Sequence, residues 1–98
     1  MDQHQATEEL ADFLAGTFHQ DMGSPEQALV EFIHESSKEC LALTFESVVI
    51  FMKSNSTEHE KEAFIKTHTA IYFPAIGLTP KEWLENVAQQ IKVALNRK

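Results

Sequence analysis

The chain has 98 residues, 43% of them hydrophobic, and a formal net charge of −7. This length suits one ordered globular domain, because two cores of half the size would each be too small to be stable. The negative charge disfavours nucleic acid as a partner, and the longest apolar run, residues 47–52, is too short to span a membrane.

We expect a single domain over residues 1–98, with residues 1–6 and 96–98 as its loosest parts. The N-terminus lacks the basic and apolar regions of a signal peptide, which predicts a cytoplasmic protein. The one cysteine, Cys40, excludes an internal disulfide. It lies in an apolar run, so we expect it to be buried as a small hydrophobic residue.

The acidic residues are concentrated in the first half of the chain. Residues 1–52 carry ten of them against one base, whereas residues 53–98 carry five against seven bases. Such a field attracts a basic partner. Many soluble proteins are acidic for solubility alone, so the charge does not by itself distinguish a solvated face from a docking face.

The first two helices are marked by capping residues. Thr7 is the predicted N-cap of helix 1, Gly16 its predicted stop, and Phe18 returns to the core. Helix 2 has the clearest start, with Ser24 at N-cap, Pro25 at N1 and Gln27 at N3 of a capping box. Its predicted apolar face consists of Ala28, Leu29, Phe32 and Ile33.

A third helix is predicted over the apolar run of residues 40–52, after a capping-box pattern of Ser36 and Glu39. Apolar residues occur most of the way round this helix, including Leu43 and Ile50 opposite the main stripe, which is typical of a central helix. The run is also rich in β-branched residues, so a strand pair is the alternative. We favour the helix because the run is long and contains no turn dipeptide.

The second half of the chain predicts two more helices. Thr57 and Glu60 form a capping box before a mostly solvent-facing helix 4 that includes Lys61. Residues 67–77 predict an ordered loop fixed by its aromatic residues, in which Pro74 favours extended backbone. Thr79, with Pro80 and Glu82, caps the last helix, whose long apolar stripe begins at Trp83. The repeated caps predict an all-α fold, a compact bundle of about five short helices with an aromatic and proline loop before the last one.

Motifs for catalysis and metal binding are missing from the sequence. The five histidines and one cysteine show no zinc-ligand spacing, and no glycine-rich phosphate loop or nucleophile elbow occurs, so we expect no metal and no cofactor. His19 and Asp21 could form an acid–base pair. A structural turn is the stronger interpretation, in which Gln20 and Asp21 bond backbone N–H groups and His19 bonds a carbonyl at the end of helix 1.

Several short motifs occur in a defined order along residues 10–95. The front half contains Phe13-Leu14-x-Gly16-x-Phe18-His19-Gln20-Asp21, Ser24-Pro25-Glu26-x-Ala28 and Phe32-Ile33; the back half contains Tyr72-Phe73-Pro74, Gly77-Leu78-Thr79 and Trp83-Leu84. In this order and spacing they resemble a family of bacterial contact-dependent growth inhibition immunity proteins. The most specific part is the Phe18, His19, Gln20, Asp21 run, which with Trp83 forms the expected structural motif.

The resemblance implies a small cytoplasmic protein, not an enzyme, that binds and neutralises the C-terminal toxin domain delivered by a neighbouring cell. Toxins of this kind are often nucleases, and we favour an RNase. A nuclease needs a basic cleft for phosphates, so an acidic inhibitor surface is physically apt. We expect a monomer or weak dimer. The candidate contact residues, chosen for charge and predicted exposure, are Asp21, Gln27, Glu31, His34, Glu35, Glu39 and Glu46.

Two other hypotheses remain open at this point. One is a helical adaptor or regulatory protein that binds a basic partner other than a toxin. The other is a small enzyme that uses His19 and Asp21. The exposed side of helix 3, with Leu43 and Ile50, could be buried in a dimer, against the toxin, or beneath the last helix.

Overall fold

The fold is all-α, as predicted. The computed structural model describes residues 1–97, in which there is no strand. Its helices are α1 (Gln3–Thr17), α2 (Pro25–Glu35), α3 (Lys38–Met52), α4 (Glu58–His68), α5 (Phe73–Ile76) and α6 (Pro80–Arg97). The helix prediction for residues 40–52 is confirmed over the strand pair. Residues 3–6 and 96–97 are helical, and Lys98, also expected to be loose, lies outside the described residues.

Helix α3 lies at the centre of the bundle. It packs mainly against α1 on one side and α6 on the other, while α4 packs on α6. Two small polar residues on α3, Thr44 and Ser47, are buried with its apolar stripe, and the Ser47 hydroxyl donates to the Thr44 carbonyl at 2.7 Å. This bond satisfies the buried hydroxyl of Ser47, whose small side chain lets a neighbouring helix approach closely.

Helix α2 lies at the edge of the bundle. Leu29 is its one buried residue among those described, and Phe32 and Ile33 are half-buried against the core. The ring of Phe32 contacts that of Phe13 on α1, with 4.7 Å between centroids. One helix face is therefore fixed to the core, and the remaining faces are left at the surface.

Helix α1 begins earlier and ends later than predicted. It starts after Asp2, whose carboxylate accepts the backbone N–H of Gln5 at 2.7 Å, and Thr7 instead donates its hydroxyl to a carbonyl one turn back. The additional turn is held because Ala6 is fully buried. Gly16 does not stop the helix, which runs to Thr17 and ends at the buried Phe18.

The predicted caps of α2, α4 and α6 are confirmed, whereas the capping box of α2 is incomplete and the cap predicted for α3 is wrong. Ser24 accepts the N–H of Gln27 at the start of α2, as predicted, but the Gln27 side chain does not complete the box and bonds Glu31 instead. Ser37, not Ser36, caps α3, because Ser36 closes the end of α2 with its own N–H. Both capping boxes of the second half are present, at Thr57 of α4 and before α6.

Two burial predictions were wrong. Cys40 is exposed, because successive helical residues point about 100° apart and the core-facing residue in this turn of α3 is Leu41. Lys61 is buried, with 7% of its surface exposed, and its ammonium donates to the carbonyl of Met52 at 2.8 Å. A cation at this position stabilises the negative end of α3 and ties it to α4.

The predicted loop before the last helix contains a short helix. Pro74 lies in the first turn of α5, where a missing N–H costs nothing, so it does not extend the backbone as expected. Gly77 closes α5 at a φ of 71°, a conformation that glycine adopts without strain. Phe73 fixes this segment to the core against Trp83, whereas Tyr72 is 73% exposed.

Candidate functional site

The loop between α1 and α2, residues 18–24, is fixed to the core by Phe18. This side chain is fully buried and makes edge-to-face contacts with Phe13 and Trp83, at centroid distances of 5.5 and 4.7 Å. Its carbonyl accepts the N–H of Ala70 at 2.8 Å, which joins the loop to the segment after α4. The residues that follow Phe18 are thereby held at the surface in a defined position.

A local hydrogen-bond pattern shapes the turn after Phe18. The N–H of Asp21 donates to Nδ1 of His19 at 3.1 Å, and the N–H of Met22 donates to the His19 carbonyl at 3.1 Å. His19 therefore accepts a hydrogen bond from the backbone of the turn. The sequence analysis had instead predicted a bond from His19 to a carbonyl at the end of helix 1. The Nδ1 atom is engaged by backbone and is not paired with the carboxylate of Asp21.

An acidic cleft lies between this turn and α2. Its volume is about 490 Å³. Four of the seven predicted contact residues line it: Asp21, Gln27, Glu31 and Glu35. The other lining residues are Gly16, Thr17, His19, Met22, Gly23, Ala28 and Phe32. The fold thus gathers residues that are 14 positions apart in the chain onto one concave surface.

The charge of the acidic cleft is not neutralised from within. Among the described residues, its lining includes three carboxylates and no lysine or arginine. Within residues 1–97, the side-chain partner of Glu31 is the amide of Gln27, which donates to it at 3.3 Å, and neither Asp21 nor Glu35 is in an ion pair. All three carboxylates are exposed. The acidic cleft can therefore accept several cationic side chains without first breaking an internal salt bridge.

The remaining predicted site residues lie elsewhere. Glu39 and Glu46 are exposed on α3 and do not line the acidic cleft. His34 lies on the opposite flank of α2. Gln20 is exposed outside the cleft. Trp83 is buried in the core, where its ring contacts that of Phe18.

A second concave surface, an apolar groove, separates α2 from the C-terminal half of α6. Its volume is about 500 Å³, and its lining residues are Val30, Ile33, His34, Gln89, Gln90, Val93, Ala94 and Arg97. Val30 and Val93 are 60% and 39% exposed, and sequence analysis did not single them out. The sequence did contain a signal for this groove, because α2 and α6 each carry an apolar residue, Val30 and Val93, outside the stripe that faces the core.

Two searches of residues 1–97, one for clusters of metal-binding side chains and one for membrane-spanning helices, found neither. No group of three histidine, cysteine, aspartate or glutamate side chains there is arranged to hold a metal ion. In the same residues, no helix combines the length and the apolar character needed to cross a bilayer.

Comparison with known families identifies the chain. A family model described as CdiI immunity protein matches residues 6–91. The chain belongs to this family. The match begins in α1 and ends within α6, so it includes the acidic cleft and the α2 side of the apolar groove. Searches of curated proteins and of solved structures return no match.

Membership of the CdiI family confirms the resemblance predicted from the short motifs. The chain is therefore an immunity protein of the contact-dependent growth inhibition system, and its partner is a cognate toxin. The structure adds where on the surface such a partner would find charge and concavity together.

Proposed function

We propose that this CdiI protein neutralises a nuclease toxin, with an RNase favoured, by placing its acidic cleft against the toxin's basic substrate-binding surface. It acts in the cytoplasm as a binding protein and not as an enzyme. The observation that supports the proposal is the grouping of Asp21, Glu31 and Glu35 around one cleft, in which no cation from residues 1–97 neutralises them.

The physical basis is that the phosphates of nucleic acid and the carboxylates of the inhibitor are both attracted to lysine and arginine side chains. A nuclease binds phosphates through lysine and arginine, so its active surface attracts carboxylates as well. Charge complementarity accelerates encounter and penalises partners of the wrong sign. Close charge pairs across such interfaces couple by roughly 1.5–7 kcal/mol, against about 0–1 kcal/mol for ordinary surface pairs.

Helix α2 is suited to present these charges. Gln27, Glu31 and Glu35 follow one another at intervals of four residues and so lie along one flank of the helix. The Ser24 cap fixes the start of α2, and the packing of Phe32 on Phe13 fixes its rotation. The carboxylates are thus held on a rigid element, which lowers the entropy lost on binding.

Charge reversal on matched helices tests the proposal. We expect Glu31→Lys and Glu35→Lys each to weaken binding of the cognate toxin domain by at least about tenfold, measured by isothermal titration calorimetry, since one lost cross-interface pair is worth more than 1.4 kcal/mol. Glu39→Lys and Glu46→Lys, which are exposed on α3 outside the acidic cleft, are the controls and should change the affinity little. Unchanged affinity in the two α2 variants, or an equal loss in the α3 controls, would contradict the proposal.

A further inference from the structure

The exposed apolar residues of the apolar groove are not explained by binding at the acidic cleft. Five large hydrophobic side chains are exposed in residues 1–97, and two of them, Val30 and Val93, line this groove from opposite helices. A helix at the edge of a bundle normally presents polar residues outside its core-facing stripe. Two exposed valines that converge on one concave surface are therefore more informative than scattered apolar residues.

The apolar groove and the acidic cleft lie on the two flanks of α2. Val30 precedes Glu31 in the chain, and it is one turn away from Gln27 on one side and His34 on the other. A helix with its side chains is about 10–12 Å wide, and a typical interface buries about 800 Å² of each partner. A single partner that covers α2 can therefore enter both concave surfaces.

The rim of the apolar groove defines what can bind there. The polar side chains of Gln89, Gln90 and Arg97 on α6 line the groove together with its apolar residues. A well-packed apolar anchor within a polar rim is the usual arrangement of an energetic centre in protein interfaces. Arg97 repels a cation, so a basic partner can place its positive side chains over the acidic cleft but not over the α6 edge of the groove.

We propose that the apolar groove binds a large aliphatic or aromatic side chain of the same toxin whose basic residues cover the acidic cleft. This inference rests on the proposed function and extends it. Helix α2 then enters the toxin surface as a ridge with two different flanks. The acidic flank determines the association rate and its salt dependence, and the apolar flank determines the dissociation rate of the complex. The toxin surface that fits carries an apolar side chain beside a basic patch.

Substitutions that remove only the apolar contact test the inference. The variants are Val30→Ser and Val93→Ser, and the matched control is Leu43→Ser, since Leu43 on α3 is 39% exposed, like Val93, and does not line the groove. Binding of the purified toxin domain is measured by surface plasmon resonance over a series of salt concentrations. We expect each valine variant to weaken binding by about tenfold, mainly through faster dissociation, with the slope of log Kd against log salt unchanged. Leu43→Ser should bind like the parent protein.

The outcomes separate this inference from the proposed function. If the Glu31 and Glu35 reversals weaken binding but both valine variants bind normally, the groove contact is wrong and the acidic contact stands. If the valine variants weaken binding and the reversals do not, the electrostatic mechanism fails and the groove contact stands. Sedimentation equilibrium of the protein alone provides the remaining test: a dimer abolished by Val30→Ser, with toxin affinity unchanged, would assign the groove to a second copy and overturn the inference. Thermal denaturation verifies that each variant is folded.

Discussion

Replacement of Phe18 by alanine tests whether this residue holds the site together. The side chain is fully buried, so the substitution leaves a cavity between α1 and α6 and removes the edge-to-face contacts with Phe13 and Trp83. Buried Phe→Ala substitutions cost about 3–5 kcal/mol. A domain of this size has a total stability of roughly 5–15 kcal/mol, so the Phe18→Ala variant should remain folded but be much less stable.

Urea denaturation followed by the fluorescence of Trp83 measures this loss directly, because the indole contacts the substituted ring. A loss of 3 kcal/mol corresponds to a fall in Tm of roughly 12–24 °C at this chain length. Phe45→Ala is the matched control, since Phe45 is half-buried on α3 and should cost clearly less. A loss below about 1.5 kcal/mol for Phe18→Ala, or one no greater than that of the control, would refute the view that Phe18 anchors the loop.

Two further predictions concern α4. Lys61→Met should lower the free energy of unfolding by about 1–3 kcal/mol in urea titrations, because the Met52 carbonyl loses a buried donor. The control is the exposed Lys66→Met, which should change the free energy of unfolding by less than about 0.5 kcal/mol. Equal losses in the two variants would contradict a stabilising bond from Lys61 to the end of α3. The hydrogen bond from Lys81 holds the pKa of Glu58 below its ordinary value of 4.5, so this contribution is present above that value and lost as the pH falls through the lowered pKa. Urea titrations between pH 6 and pH 3 should show a smaller loss of stability for Lys81→Met than for the parent, and identical pH profiles would rule out the contribution.

Local chemistry made most helix starts predictable from sequence. At Ser24, Thr57 and Thr79 the predicted cap is followed three residues later by Gln or Glu, and the structure uses each one. The start of α1 was predicted wrongly because two suitable caps lie five residues apart. Asp2 and Thr7 are both suitable, and the burial of Ala6, which depends on packing, decides for the earlier start.

Burial was predictable only where the pattern is strongly amphipathic. The stripe of α6 is clear in the sequence, and its members lie in or against the core. Lys61 and Cys40 were assigned to the wrong environments because their surroundings depend on what packs opposite. The end of α3 covers Lys61, and no sequence signal within α4 indicates this.

The candidate site was partly predictable for the same reason. Exposure of Gln27, Glu31 and Glu35 follows from the polar flank of α2, and the structure agrees. Their grouping with Asp21 depends on how Phe18 anchors the preceding loop, which the sequence does not specify. Glu39 and Glu46 share the same charge and exposure but belong to another helix. The apolar groove requires the pairing of α2 with α6, so only the structure shows it.

The salt dependence of toxin binding tests the electrostatic account most directly. For the parent protein, log Kd should rise steeply with log salt, because cation–carboxylate pairs across the interface are screened. The Glu31→Lys, Glu35→Lys double variant should show a much flatter line, while the Glu39→Lys, Glu46→Lys double variant should keep the parental slope. A parental slope in the α2 double variant, or a flat line for the parent itself, would contradict the assignment of the acidic cleft as the contact surface.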